Sequence, residues 1–144
     1  MIKVFLTALV LCAACVGTSQ RREDSLMKIA REFNDGLRWG RDEDVLRCLT
    51  PTEAHYLQAR RADLGEDFVM ADHEVKSIQI VPGVEKATVI AEFTWFSQRR
   101  SVVQKSTVEE TWEWLNDRWM VTAQARIAGA RFPLVPEHLE ARRD

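Results

Sequence analysis

At Asp72 the spacing of apolar residues changes from one in every three or four positions to one in every two. Upstream, Leu26, Ile29, Ala30, Phe33 and Leu37 recur as one face of an α-helix does. Downstream, apolar and polar residues alternate as in strands that bury one face. No folded segment satisfies both periods, so the chain must build a helical part first and a sheet second. Helices followed by a run of antiparallel strands is an α+β architecture, with the helices packed on one face of the sheet. The chain has 144 residues and a formal charge of −2, which bounds it to one domain with a nearly balanced surface. No basic stripe is present, so nucleic acid is not an expected partner.

Local signals divide the helical part. Gly36 and Gly40 weaken the end of the first helix, and Asp42 is a cap for a short second one holding Val45, Leu46 and Leu49. Thr50-Pro51-Thr52-Glu53 reads as an N-cap, a proline at the first position and a capping box for a third helix, which runs to about Leu64 and stops at Gly65. Val75, Ile78 and Ile80 mark a first strand closed by Pro82-Gly83. Residues 86–96, 101–115 and 118–127 read as three more.

Turn positions fix an expected register. A two-residue turn at Asn116-Asp117 pairs Trp114 with Trp119, Trp112 with Val121, Glu110 with Ala123 and Val108 with Ala125. Glu113, Thr111 and Glu109 then share the opposite, polar face with Met120, Thr122 and Gln124. A turn at Gln98-Arg99 pairs Trp95 with Val102, Phe93 with Gln104, Ala91 with Ser106, Val89 with Val108 and Ala87 with Glu110. Both pairings turn the same residues of the third strand inward. Glu110 therefore emerges as an inward carboxylate between two alanines, with Gln104 and Ser106 further along, which is the pattern of a lined cavity. His55 and Tyr56 on the third helix are expected to project toward it, where a histidine beside a carboxylate would suit acid–base work. Spacing alone does not bring them together, and no catalytic set is defined. Asp72-His73-Glu74 sits in an extended stretch where alternate residues point oppositely, and no tetrahedral Cys/His set occurs, so neither metal nor cofactor is expected.

The hairpin Trp112-Glu113-Trp114-Leu115-Asn116-Asp117-Arg118-Trp119-Met120-Val121, after helices and long antiparallel strands, resembles the nuclear-transport-factor-2-like superfamily, which includes ketosteroid isomerases, polyketide cyclases and many non-catalytic domains. The resemblance covers roughly residues 25–127 and implies a curved, cone-like (cystatin-like) four-stranded sheet, often with a cavity at its open end. Catalytic members need a base and an electrophilic partner in the cone, and here one inward carboxylate stands without a placed second group. Many relatives dimerise through the outer sheet face. Here that face reads Glu109, Thr111, Glu113, Thr122 and Gln124, and a monomer or weak dimer is expected.

The N-terminus determines the expected compartment. Lys3 is followed by a charge-free run to Gly17, too short for a bilayer core and fitting a secretory signal. Its exit, Leu11-Cys12-Ala13-Ala14-Cys15, resembles the lipobox of bacterial lipoproteins, with Cys12 where the family usually has leucine. The resemblance implies lipidation of Cys15, membrane attachment through that lipid and, with Val16 following, the outer membrane facing the periplasm. Ordinary cleavage after Ala14 is the alternative, and a Cys15–Cys48 bridge then becomes available. Cys48, among Val45, Leu46 and Leu49, reads as a small buried hydrophobe. The expected organisation is a signal peptide over residues 1–14, a lipidated cysteine and polar tether over 15–24, the domain over 25–130 and a tail over 131–144. The expected function is an envelope lipoprotein that binds a small hydrophobic ligand or an envelope protein without catalysis. The alternative is an enzyme of isomerase, dehydratase or cyclase type.

Overall fold

The computed structural model describes residues 3–81, 83 and 85–137, with side chains from Arg21 onward. Helices α1 (Lys3–Trp39), α2 (Asp42–Leu46) and α3 (Pro51–Leu64) precede strands β1 (Phe68–Val81), β2 (Lys86–Ser97), β3 (Val103–Leu115) and β4 (Arg118–Gly129). The strands form one antiparallel sheet in the order β1-β2-β3-β4. Leu26, Ala30, Phe33 and Leu37 are buried, so the stripe read from the sequence is the face that α1 lays on the sheet.

Several local expectations are corrected. The first helix does not weaken at Gly36. A side chain there would drive its Cβ to 2.7 Å from Val45 Cγ2, so glycine permits the close approach of α2. The N-cap of α2 is Arg41 rather than Asp42, and α2 ends at Leu46. Leu49 leaves that helix and bridges to Val121, where Val121 N donates to Cys48 O at 2.7 Å and Thr50 N donates to Val121 O at 3.2 Å. Thr50 and Pro51 occupy the N-cap and first-turn positions of α3, but no side-chain cap bond forms. Strand β1 begins at Phe68, before the change of period at Asp72, because Ala71 and Lys76 are bulged and blur its alternation.

Residues 18–24, expected as a tether, are helical and continuous with α1. Arg22 ties this part to the sheet: its guanidinium pairs with Glu85 and lies 5.0 Å from the Trp114 ring centroid, and its carbonyl accepts from Trp119 Nε1 at 3.1 Å. The tail is also partly structural. Phe132, Leu134 and Val135 are buried, and Phe132 stacks on Phe93 with ring centroids 4.7 Å apart. Arg126 holds Glu137 at 3.1 and 2.7 Å, and Arg60 Nε donates to Pro133 O at 3.0 Å. At Gly129 (φ +78°) a side chain would collide with the Lys105 carbonyl, so glycine allows the chain to turn from β4 into this segment.

The expected registers hold in part. Asn116 and Asp117 both have positive φ, 50° and 60°, and make the two-residue turn with Trp114 opposite Trp119 and Trp112 opposite Val121. A bulge at Thr122 then shifts β4 by one residue. Glu110 lies opposite Gln124 and not Ala123, and Val108 opposite Arg126 and not Ala125. Because a one-residue slip reverses the faces, Ala123 points out and is exposed while Gln124 points in and is buried. Between β2 and β3 the offset is two residues: Val89 opposes Glu110 and Phe93 opposes Ser106. An offset of two keeps every side chain on its expected face. Ala123→Lys is expected to change stability by less than about 0.5 kcal/mol in a urea melt, as an exposed substitution does. A cost of several kcal/mol would place Ala123 inside.

The outer sheet face is charged and cross-linked. Lys105 meets Glu92 at 3.1 Å and Lys86 meets Glu113 at 3.3 Å. Such exposed pairs contribute little stability, but they keep the face solvated.

Candidate functional site

Position 110 is where local structure and sequence pattern meet. The central strands β2 and β3 pair in continuous register, while bulges at Ala71 and Lys76 in β1 and at Thr122 and Ile127 in β4 interrupt the edge strands, where a bulge bends a strand and increases its twist. The inward residues of β3, from its N-terminal end, are Gln104, Ser106, Val108, Glu110 and Trp112. Gln104 is half-buried, Ser106 is 1% exposed, and Val108, Glu110 and Trp112 are at 0%. Solvent contact ends within one step of the open end.

Glu110 Oε2 accepts from Trp112 Nε1 at 2.9 Å. Asn34, whose Nδ2 donates to Ala30 O at 2.9 Å, adds a second polar contact to the carboxyl. Desolvation outweighs these two contacts and raises the Glu110 pKa to about 7. Glu110 Oε1, Asn34 Oδ1 and Gln124 Nε2 are buried without hydrogen-bond partners. The loss of solvation thus favours the neutral acid over the carboxylate at this site.

The other predicted residues are dispersed. Ser106 Oγ accepts from Trp95 Nε1 at 2.9 Å and donates to Ala130 O at 2.7 Å, so it fastens the start of the tail to the sheet. Gln104 lines a mouth pocket of about 230 Å³ with Phe68, Trp95, Val102 and Pro133. His55 is exposed on α3 and does not share the sealed interior with Glu110, while Tyr56 beside it is half-buried. The groups that reach the carboxyl are Trp112 and Asn34 instead. Asn34 was legible in principle, since it falls in the Ala30, Phe33, Leu37 stripe, where a polar residue must find a partner. Gln124 was not, because nothing in the sequence around Thr122 announces a bulge.

His73 turns inward between outward-pointing Asp72 and Glu74, and its Nε2 lies 2.9 Å from Asp35 Oδ1. Its Nδ1 is buried without a partner. Among the described residues no group of three or more His, Cys, Asp or Glu is arranged to hold a metal ion. Cys48 is buried, and desolvation raises its thiol to about pKa 11, so it is not a nucleophile near neutrality. The Cys15 side chain lies outside the described residues. No helix among the described residues is long and apolar enough to cross a membrane.

A larger groove of about 490 Å³ lies where α1, α2 and the β3–β4 hairpin meet. Ile29, Phe33, Cys48 and Trp119 line it with Glu32, Arg41, Asp44, Arg47 and Arg118. Glu110 lines neither cavity.

Helices followed by a curved, open, four-stranded antiparallel sheet define the nuclear-transport-factor-2-like fold, and this chain has that fold. Among solved structures it is similar to an NTF-2-like protein of unknown function from Shewanella oneidensis MR-1, with a TM-score of 0.54 and 14% identity over 72% of this chain and 97% of that one. It is also similar to the intermembrane space region of the chloroplast protein ARC6, with a TM-score of 0.52 and 14% identity over 73% of this chain and 95% of that one. No family model matches the chain, and no curated protein sequence matches it, so the likeness carries the fold alone.

Proposed function

We propose that the chain is an exported envelope lipoprotein, anchored through Cys15, whose domain binds a small hydrophobic ligand without catalysis. The sealing of Glu110 supports this reading above the enzyme alternative. An acid–base residue must come within about 3 Å of the proton it moves. Here the one strongly perturbed inward carboxyl is fully buried, with Asn34, Val89, Trp112 and Gln124 around it and no opening to either cavity. A perturbed pKa is also what a structural buried acid displays. Among the described residues, the mouth pocket and the larger groove offer apolar walls for binding. An envelope protein as the partner is less favoured, because the outer sheet face that relatives use for association is polar and ion-paired. The same face favours a monomer or weak dimer.

Chromosomal replacement tests the reading. Where deletion of the gene gives a phenotype, Glu110→Gln is expected to behave as wild type, and Cys15→Ser to move the protein from the membrane to the soluble fraction. A Glu110→Gln strain that reproduces the deletion at normal protein level would restore the enzyme. A Cys15→Ser chain that fractionates as wild type would remove the anchor.

A further inference from the structure

We propose that the groove between α1, α2 and the β3–β4 hairpin binds a long-chain carboxylate, its apolar chain against Ile29, Phe33 and Trp119 and its head group on Arg118 and Arg47. The proposal rests on the reading of the domain as a small-ligand binder and names the ligand class and the site.

Volume and lining separate the groove from the other cavities: a hollow of about 380 Å³ on α1, walled by Asp24, Met27, Lys28, Arg31, Glu32 and Asp35, has Met27 as its one hydrophobic residue. Pockets that enclose small molecules usually run from about 300 to 1,000 Å³. The groove, at about 490 Å³, falls within that range, and the mouth pocket, at about 230 Å³, falls below it. The mouth is also reduced by the tail, since Pro133 forms part of its wall.

Charge then selects the ligand. Three arginines and two acids line the groove. Both acids are already engaged: Asp44 lies 3.4 Å from Arg41 and 3.8 Å from Arg47, and Glu32 lies 3.8 Å from Lys28. Arg47 is shared loosely between Asp44 and Glu43, at 3.8 Å each. Arg118 forms no ion pair among the described residues, so the site has an unmatched cation above an apolar floor. Arg118, Arg47, Glu32 and Asp44 all line this one groove together with Cys48. An arginine fork recognises a carboxylate through two parallel hydrogen bonds, and an alcohol offers no such match. The floor is held rigidly, because Trp119 Nε1 is tied to the Arg22 carbonyl at 3.1 Å and its ring packs edge-on against Trp114 at 5.5 Å.

The test uses the Cys15→Ser chain, which needs no detergent, with dodecanoate and dodecanol as probes below their aggregation limits. The indole N–H resonances of Trp119 and Trp95 report on the groove and the mouth separately. Dodecanoate is expected to shift Trp119 saturably, dodecanol to bind about tenfold more weakly, and Arg118→Gln to remove about that tenfold difference. Equal affinity for the two probes, or no effect of Arg118→Gln, overturns the proposal. A shift confined to Trp95 also overturns it while leaving the small-ligand reading intact. Silence of both indoles with both probes sinks the proposal and counts against that reading as well.

Discussion

Glu110→Gln is expected to stabilise the protein by up to about 3 kcal/mol at pH 8 and to change little at pH 4. The folded-state pKa of Glu110 is raised from 4.5 to about 7 by desolvation. Below pH 4.5 both folded and unfolded chains hold the proton, and no charge is buried on folding. Between 4.5 and 7 the unfolded chain releases the proton first, so stability falls as pH rises, and above 7 the loss is complete. A shift of this size corresponds to about 3 kcal/mol at about 1.4 kcal/mol per pH unit. Glutamine keeps an acceptor for Trp112 Nε1 and carries no charge, so the variant should not show this loss. Asp67, Glu92 and Glu137 have lowered pKa values, through Ser97, Lys105 and Arg126 respectively, and act in the opposite direction at acid pH. Those effects are common to both proteins and cancel in the difference between their urea midpoints at pH 4, 6 and 8. A difference that stays flat across that range would mean that Glu110 ionises in contact with water.

Trp112→Ala is expected to cost about 5 kcal/mol, the largest effect of any single truncation in this core. The ring is fully buried and meets Phe33 edge-on at 5.4 Å, so its loss opens a cavity between α1 and the sheet. It also strips Glu110 Oε2 of its donor, leaving both carboxyl oxygens unpaired by the sheet. The cost should therefore be greater at pH 8 than at pH 4. A domain of this size has only about 5–15 kcal/mol in total, so the variant should be close to unfolding under mildly alkaline conditions. Trp112→Phe separates the two contributions, since it fills most of the space and donates nothing. A Trp112→Ala protein within about 0.5 kcal/mol of wild type would mean that the ring faces solvent.

The difference between what could be read and what could not is physical. The stripe on α1 and the face of each central strand follow from periodicity, because burial alone sets them. The β2–β3 pairing was displaced by two residues, yet Glu110 stayed inward, since side chains on a strand repeat every two. The bulge at Thr122 displaced β4 by one and exchanged Ala123 for Gln124 in the interior. Bulges answer to the curvature of the whole sheet and leave no mark in a local pattern. Pro133 and Pro136 mark an irregular tail, and the apolar Phe132, Leu134 and Val135 within it are the part that packs. His55 was linked to Glu110 only by chemical type, and the fold places it in solvent.

The strand order follows the chain order, and that arrangement bears on how the protein reaches its folded state. Each strand pairs with its immediate predecessor across short connections: four residues between Val81 and Lys86, five between Ser97 and Val103, two between Leu115 and Arg118. Closing a loop of two to five residues costs far less entropy than joining distant segments. The sheet can thus zip from the tight β3–β4 turn outward, and topologies built from such local pairings fold faster than those with distant ones. The contacts across the longest sequence separations are different ones, from Arg22 in α1 to Trp119 in β4 and from Arg60 in α3 to Pro133 beside Phe132. Those are the closures that come late, and truncating Phe132 should speed unfolding far more than it slows folding.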